Sequence, residues 1–151
     1  MLDLKIAGGR VLDGTGAPAT RIDVGVTGDA ITAFGDLSRE GAGIIVNATG
    51  LTVTPGFIDM HAHSDWRLFG NRRAESKIRQ GVTTEVVGNC GFSPAPVSDE
   101  FREDMRGFAL YVPPGMDFSW RSVGEYLRRY EDGGSLSTWR SSSAMARSGW
   151  P

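Results

Sequence analysis

The chain has 151 residues, a formal net charge of −2 and a hydrophobic content of 40%. This length corresponds to one average domain, and the balanced charge does not indicate a nucleic-acid partner. The sequence contains no apolar run of the ~20 residues that a membrane-spanning helix requires and no secretory leader pattern. We therefore expect no membrane partner and a cytoplasmic location. The single cysteine, Cys90, excludes an intrachain disulfide.

The first third of the chain has the pattern of short β-strands separated by glycine-rich turns. Ile22, Val24 and Val26 recur at a period of two, and Gly28 follows in a hairpin-type turn. The apolar content of this segment is modest. It therefore predicts a small sheet or sandwich that needs a partner segment to complete its core.

The pattern changes at Leu51, where the near-continuous apolar run "LTVTPGFIDMHAH" begins. Such runs are typical of parallel strands that are buried on both faces. The following segment, "AESKIRQGVTTEVVG", predicts a helix that ends before Gly81 and a strand over residues 83–87. Together these elements form one β-loop-α-β unit, which indicates an α/β fold with a parallel sheet.

Two further helices are predicted in the second half. The first covers about residues 98–108, with Ser98 as its cap, and the second lies in "SVGEYLRRYEDGG" and stops at Gly133. The apolar face of the second helix consists of Val123, Tyr126, Leu127 and Tyr130. The remaining segment, Ser135–Pro151, has neither helical nor strand period, and we interpret it as an aberrant or disordered tail.

The chain's two histidines, His61 and His63, lie at the end of the apolar run. Alternate residues of a strand point to one side, so both imidazoles can reach one metal ion or binuclear centre. Asp59 has the same parity, Asp65 follows, and Cys90 ends the next predicted strand between two glycines. Two surface histidines and an inert buried cysteine are the alternative interpretation. The meeting of adjacent strand ends favours a shared zinc site.

These residues carry a family resemblance over about residues 4–134. "GGRVLDGTGAP", "TPGFIDMHAHSD" and "QGVTTEVVGNCGFSPAP" resemble the amidohydrolase superfamily, and more narrowly the D-aminoacylases, or N-acyl-D-amino-acid deacylases. The resemblance implies a (β/α)8 TIM barrel with a composite β-sandwich, and a metal site containing His61, His63 and Cys90. It further implies Zn²⁺, one or two ions, and hydrolysis of N-acyl-D-amino acids, small-molecule substrates, to a carboxylate and a free D-amino acid.

The chain departs from this pattern in its second half. A (β/α)8 barrel needs about 200–250 residues, and no histidine follows His63. The family's remaining ligands and its base aspartate thus have no counterpart here, so we expect weak metal binding and no activity from this chain alone. We assign residues 1–54 to the sandwich and 55–134 to the start of the barrel. One back-translation of residues 136–151 gives a family-like strand in another frame, so we hypothesise a frameshift there.

Three alternatives stay open from the sequence. The first is a non-catalytic fragment, and the second is a β-rich binding module with incidental histidines. The third is another amidohydrolase of the dihydroorotase or hydantoinase type, which resembles this chain but uses a carboxylated lysine. The chain's two lysines, Lys5 and Lys77, do not lie at predicted strand ends, and Cys90 argues against this branch.

Overall fold

The computed structural model describes residues 1–107 and 113–132. The chain divides into two compact units, Met1–Pro55 and Gly56–Pro151, which are treated separately below. Within the described ranges, none of the helices has the length and apolar character needed to cross a membrane. The predicted helix end at Gly133 and the tail from Ser135 to Pro151 lie outside the described residues.

The architecture is mixed α/β, in agreement with the predicted class. The strands are β1 Leu2–Ala7, β2 Arg10–Val11, β3 Thr20–Arg21, β4 Asp23–Thr27, β5 Ala30–Gly35, β6 Ala42–Asn47, β7 Thr52–Val53, β8 Phe57–Asp59 and β9 Val82–Glu85. The α-helices are α1 Glu75–Ile78, α2 Asp99–Gly107 and α3 Val123–Asp132. Two 3₁₀ turns cover Arg67–Phe69 and Asn89–Gly91.

The first unit is made of β-strands, as the alternating pattern predicts. Its main sheet has the order β5-β4-β1-β6, and a smaller sheet has the order β3-β2-β7. Gly28 adopts a φ of +62° in the β4–β5 turn, a conformation that glycine accepts without strain. Ile31, Phe34 and Ile44 are each more than half exposed. The sheet thus leaves apolar side chains uncovered within this unit.

In the second unit, β8 and β9 form a parallel pair, and α1 lies between them in the sequence, as the predicted β-loop-α-β unit requires. Gly81 ends the helical segment at a φ of +80° and donates its N–H to the Ile78 carbonyl. The helix has four residues, because Ala74 precedes it in a left-handed conformation. The expectation that β8 is buried on both faces is wrong for this chain, because Phe57 and Ile58 are about half exposed. Among the described residues, β8 and β9 form a two-stranded sheet.

An aromatic core holds the rest of the second unit together. Its buried members are Trp66, Ala95, Val97, Met105, Phe118, Trp120 and Tyr126, with Phe69, Met116, Leu127 and Tyr130 packed against them. The rings of Phe69 and Trp120 stack with centroids 5.4 Å apart. The buried indole N–H of Trp120 donates to the Pro94 carbonyl at 2.6 Å, so this polar group is paired.

Serines cap both longer helices. The Ser98 hydroxyl accepts the Phe101 N–H, as predicted. At α3, the Ser122 hydroxyl accepts the Glu125 N–H, and the Glu125 carboxylate accepts the Ser122 N–H in return. This reciprocal capping box is visible in the sequence as S-x-x-E. The predicted apolar face of α3 is correct for three of its four residues, but Val123, in the first turn, is 39% exposed.

Replacement of the α3 cap tests its contribution to stability. We expect Ser122→Ala to lower the free energy of unfolding by about 1 kcal/mol, because the Glu125 N–H loses its acceptor. Ser122→Asp restores an acceptor and should stay close to the parent chain. Urea unfolding followed by circular dichroism at 222 nm measures both changes. Equal stabilities for the alanine and aspartate variants would contradict the capping role.

Candidate metal centre

The candidate centre forms where the parallel strands β8 and β9 both end. Their register pairs Ile58 with Thr84 and Asp59 with Glu85. Two hydrogen bonds continue the ladder past the strands, from the Val86 N–H to the Asp59 carbonyl and from the Ala62 N–H to the Val86 carbonyl. Because parallel strands end at a common edge, the segments that follow β8 and β9 lie side by side.

His61 and His63 lie just beyond β8, in the turn that this ladder holds. Ala62 between them is 2% exposed, and both histidines are exposed. The strand-like alternation thus persists past the strand end and turns both imidazoles away from the buried side. Their ring centroids are 5.2 Å apart in an edge-to-face arrangement.

Cys90 is presented by a tight turn after β9. Its φ is +58°, and Gly88 and Gly91 on either side have φ values of +83° and +74°. A left-handed conformation is unusual for a residue other than glycine, so the turn holds Cys90 in a strained position. The turn brings the Cys90 Sγ to 3.2 Å from the His61 Nε2.

The sequence-predicted ligands are therefore brought together. One ligand atom from each of His61, His63 and Cys90 lies within 4.8 Å of the others, and all three residues are exposed. Among the residues that the structure describes, no other group of three potential metal ligands lies this close together. Two imidazoles and a thiol form the nitrogen and sulfur donor set that suits Zn²⁺. Exposure leaves room for a further ligand or a substrate.

The two predicted aspartates have different surroundings. Asp59 accepts the His61 N–H at 3.1 Å and forms an ion pair with the Lys77 ammonium at 2.6 Å. The hydrogen bond from Lys77, followed by that from His61, lowers the pKa of Asp59. Asp65 is fully buried, and one oxygen accepts the Gly88 N–H at 3.0 Å. Burial raises the pKa of Asp65, and the Gly88 hydrogen bond partly offsets this effect.

An ion-pair network that the sequence did not reveal lies beneath the site, and it is centred on the buried carboxylate of Glu85. The Lys77 ammonium is 2.8 Å from the Glu85 carboxylate as well as 2.6 Å from Asp59. The Glu85 side chain is 1% exposed, and its other oxygen accepts the Ser64 hydroxyl at 2.5 Å. The hydrogen bonds to Asp59 and then Glu85 raise the pKa of Lys77. Lys77 thus forms ion pairs with both of the carboxylates that the strand register places side by side.

Comparison with known proteins shows the family to which the chain belongs. A family model described as "Amidohydrolase family" matches residues 45–133. The D-aminoacylase of Alcaligenes xylosoxydans xylosoxydans is 52% identical over 96 residues, which cover 64% of this chain and 20% of that protein. Because the family model matches more than half of the chain, the chain belongs to the amidohydrolase family.

The chain is also similar to solved structures of deacylases. N-acyl-D-glutamate deacylase from Bordetella bronchiseptica, solved with zinc and a phosphonate inhibitor, is 46% identical with a TM-score of 0.64, covering 67% of this chain and 21% of that one. A D-aminoacylase studied for its binuclear metal centre is 40% identical with a TM-score of 0.69, covering 85% and 26%. The chain thus spans a fifth to a quarter of its relatives' length.

Removal of the Lys77 charge tests the network under the site. We expect Lys77→Met to lower the free energy of unfolding by about 2 kcal/mol, because Glu85 is left buried without its cation. The pKa of Asp59 is lowered in the folded chain by its bond with Lys77. The Asp59–Lys77 pair therefore stabilises the fold at pH values above the ordinary carboxyl pKa, and this stabilisation is lost as acid protonates Asp59. Urea unfolding at several pH values should show the difference shrinking below about pH 4.

The exposed neighbour Arg79 gives the matched control for this charge. Arg79→Met should change stability by less than about 0.5 kcal/mol at every pH. Equal losses for the two methionine variants, or a loss for Lys77→Met that does not depend on pH, would contradict the role of the network.

Proposed function

We propose that the whole protein hydrolyses the amide bond of N-acyl-D-amino acids, releasing a carboxylate and a free D-amino acid. The observation that carries this proposal is the gathering of His61, His63 and Cys90 within 4.8 Å. It occurs in a chain that is 52% identical to a D-aminoacylase over the aligned segment. The substrate class is the one that the relatives' names describe.

We propose His61, His63 and Cys90 as metal ligands, with Zn²⁺ as the ion. Bound zinc supplies Lewis-acid chemistry, lowering the pKa of water and polarising the acyl carbonyl. Cys90 contributes a thiolate, the soft donor of the set. Asp59 holds the backbone at His61, and the exposed side chains leave an open approach for the substrate. The zinc present in the Bordetella relative supports this choice of ion.

We propose that residues 1–54 belong to a β-sandwich and residues 55–134 to the start of a TIM barrel. The uncovered apolar side chains Ile31, Phe34 and Ile44 support a sandwich completed by another segment. The parallel pairing of β8 with β9 supports a barrel, whose strands are all parallel. Since a site of this type draws on several strand ends, we expect the 151 residues alone to bind metal weakly and to lack turnover. A cytoplasmic location stays a prediction.

Zinc binding by the chain itself tests the ligand assignment. We expect the chain to bind zinc weakly, and a His61→Ala, His63→Ala, Cys90→Ala triple variant to bind none at the same concentration, because all three donors are gone. Equilibrium dialysis with metal analysis measures the stoichiometry, and circular dichroism shows whether both chains have the same secondary structure. Equal zinc stoichiometry in the two chains would defeat the assignment.

A chimaera tests the proposed reaction. The aligned segment of this chain would replace its counterpart in the Alcaligenes D-aminoacylase, to which it is 52% identical. We expect the chimaera to release free D-amino acids from N-acetyl-D-amino acids, because this segment would supply its share of the metal ligands.

The matched control is the same chimaera with Cys90→Ala. It should lose about a hundredfold or more in kcat, since even the outer partners of metal ligands are worth ~10- to 100-fold. A chimaera that folds and binds zinc but hydrolyses no N-acetyl-D-amino acid would overturn the proposed reaction. Equal rates with and without Cys90 would overturn its role.

A further inference from the structure

The carboxamide of Asn89 joins the two ligand-bearing segments. Its Nδ2 donates to the Val86 carbonyl at 2.9 Å and to the Ala62 carbonyl at 3.2 Å. Ala62 lies between His61 and His63, and Asn89 directly precedes Cys90. One side chain therefore uses both of its donors: the bond to Ala62 ties the cysteine turn to the histidine turn, and the bond to Val86 fixes the carboxamide to the end of its own strand segment.

Asp65 makes a second connection between the same segments. Its carboxylate accepts the N–H of Gly88, the residue at which the cysteine turn begins. Its own carbonyl accepts the hydroxyl groups of Tyr126 and Tyr130 on α3. Asp65 is fully buried, so it is fixed to the aromatic core at one end and to the turn at the other.

We propose that Asn89 and Asp65 form a brace that sets the distance between the Cys90 thiol and the two histidines before a metal binds. Both are positioning residues, since they reach the ligands through the backbone at Ala62 and Gly88. This inference rests on the proposed metal site and adds to it the device that keeps its ligands together.

The conformation of the cysteine turn explains the need for such a brace. Cys90 has a positive φ although it is not a glycine, and such strain persists only where the surroundings hold the residue in place. The turn lies beyond β9, so strand pairing does not fix it. The Asn89 and Asp65 hydrogen bonds supply that constraint. Ligands held in place beforehand lose less conformational freedom on binding, which raises metal affinity.

Cobalt(II) binding tests the brace with a readout other than activity. CoCl₂ would be titrated into the full 151-residue chain, and into Asn89→Ala and Asn89→Ser, while the thiolate-to-cobalt charge-transfer absorbance is recorded. We expect Asn89→Ala to weaken cobalt affinity about tenfold, as for other outer partners of metal ligands. The charge-transfer absorbance per bound ion should also fall, because Cys90 is no longer held against His61. Asn89→Ser keeps one donor and should lie between the two.

Asn71→Ala, at an exposed asparagine of another loop, is the matched control and should bind cobalt as the parent chain does. A purely structural role for Asn89 would lower the melting temperature and leave both the affinity and the absorbance per bound ion of the folded chain unchanged. That result overturns the brace.

The remaining outcomes separate the brace from the metal site. If the parent chain binds no cobalt, the proposed metal site is itself wrong and the brace fails with it. If the parent binds cobalt and Asn89→Ala gives the same affinity and spectrum, the brace alone is overturned. If Asn89→Ala does not fold, Asn89→Ser decides through the same two readouts: parent-like values overturn the brace, and lowered values support it.

Discussion

The parallel pairing of β8 with β9 is the constraint on which the candidate centre depends. It brings both carboxyl ends to one edge, so that His61 and Cys90 meet although they are 29 residues apart in sequence. The same register places Asp59 beside Glu85, and two adjacent carboxylates repel each other. Lys77 on α1 contacts both, which makes the pairing electrostatically acceptable. Through Lys77, the helix between the strands therefore supports the pairing that brings the candidate ligands together.

Hydrogen bonds from the aromatic core also help to hold the segment that follows β9. Tyr126 and Tyr130 on α3 donate to the Asp65 carbonyl, and burial raises the pKa of both phenols. Asp65 in turn accepts the N–H of Gly88. Residues that look like ordinary core in the sequence thus support the segment that carries Cys90. The hydrogen bonds through Asp65 thus connect the packing of α3 to the position of the cysteine turn.

A large part of this arrangement was predicted from hydrophobic periodicity and from the rule that parallel strands end at a common edge of the sheet. The β-loop-α-β unit, the turn at Gly81 and the convergence of the ligands follow from local patterns and from the geometry of parallel strands. The contacts of Lys77 and of Tyr126 do not, because they join residues 18 and 61 positions apart without any periodic signal. Burial of β8 was predicted from its apolar run, and such a run does not show which other segments of a protein cover the two faces of the strand.

The positions of the lysines bear on which branch of the family the chain resembles. The resemblance drawn from the sequence motifs implies that dihydroorotases and hydantoinases use a carboxylated lysine where the deacylases have a cysteine. Lys77 is ion-paired with Asp59 and Glu85, and Lys5 donates to the carbonyls of Leu37 and Glu40 in the other unit. A carbamate on Lys77 would place a third negative charge against two carboxylates. The ion pairs of Lys77 and the backbone contacts of Lys5 thus make both lysines unsuited to that role, which agrees with the proposal that Cys90 is the third metal ligand.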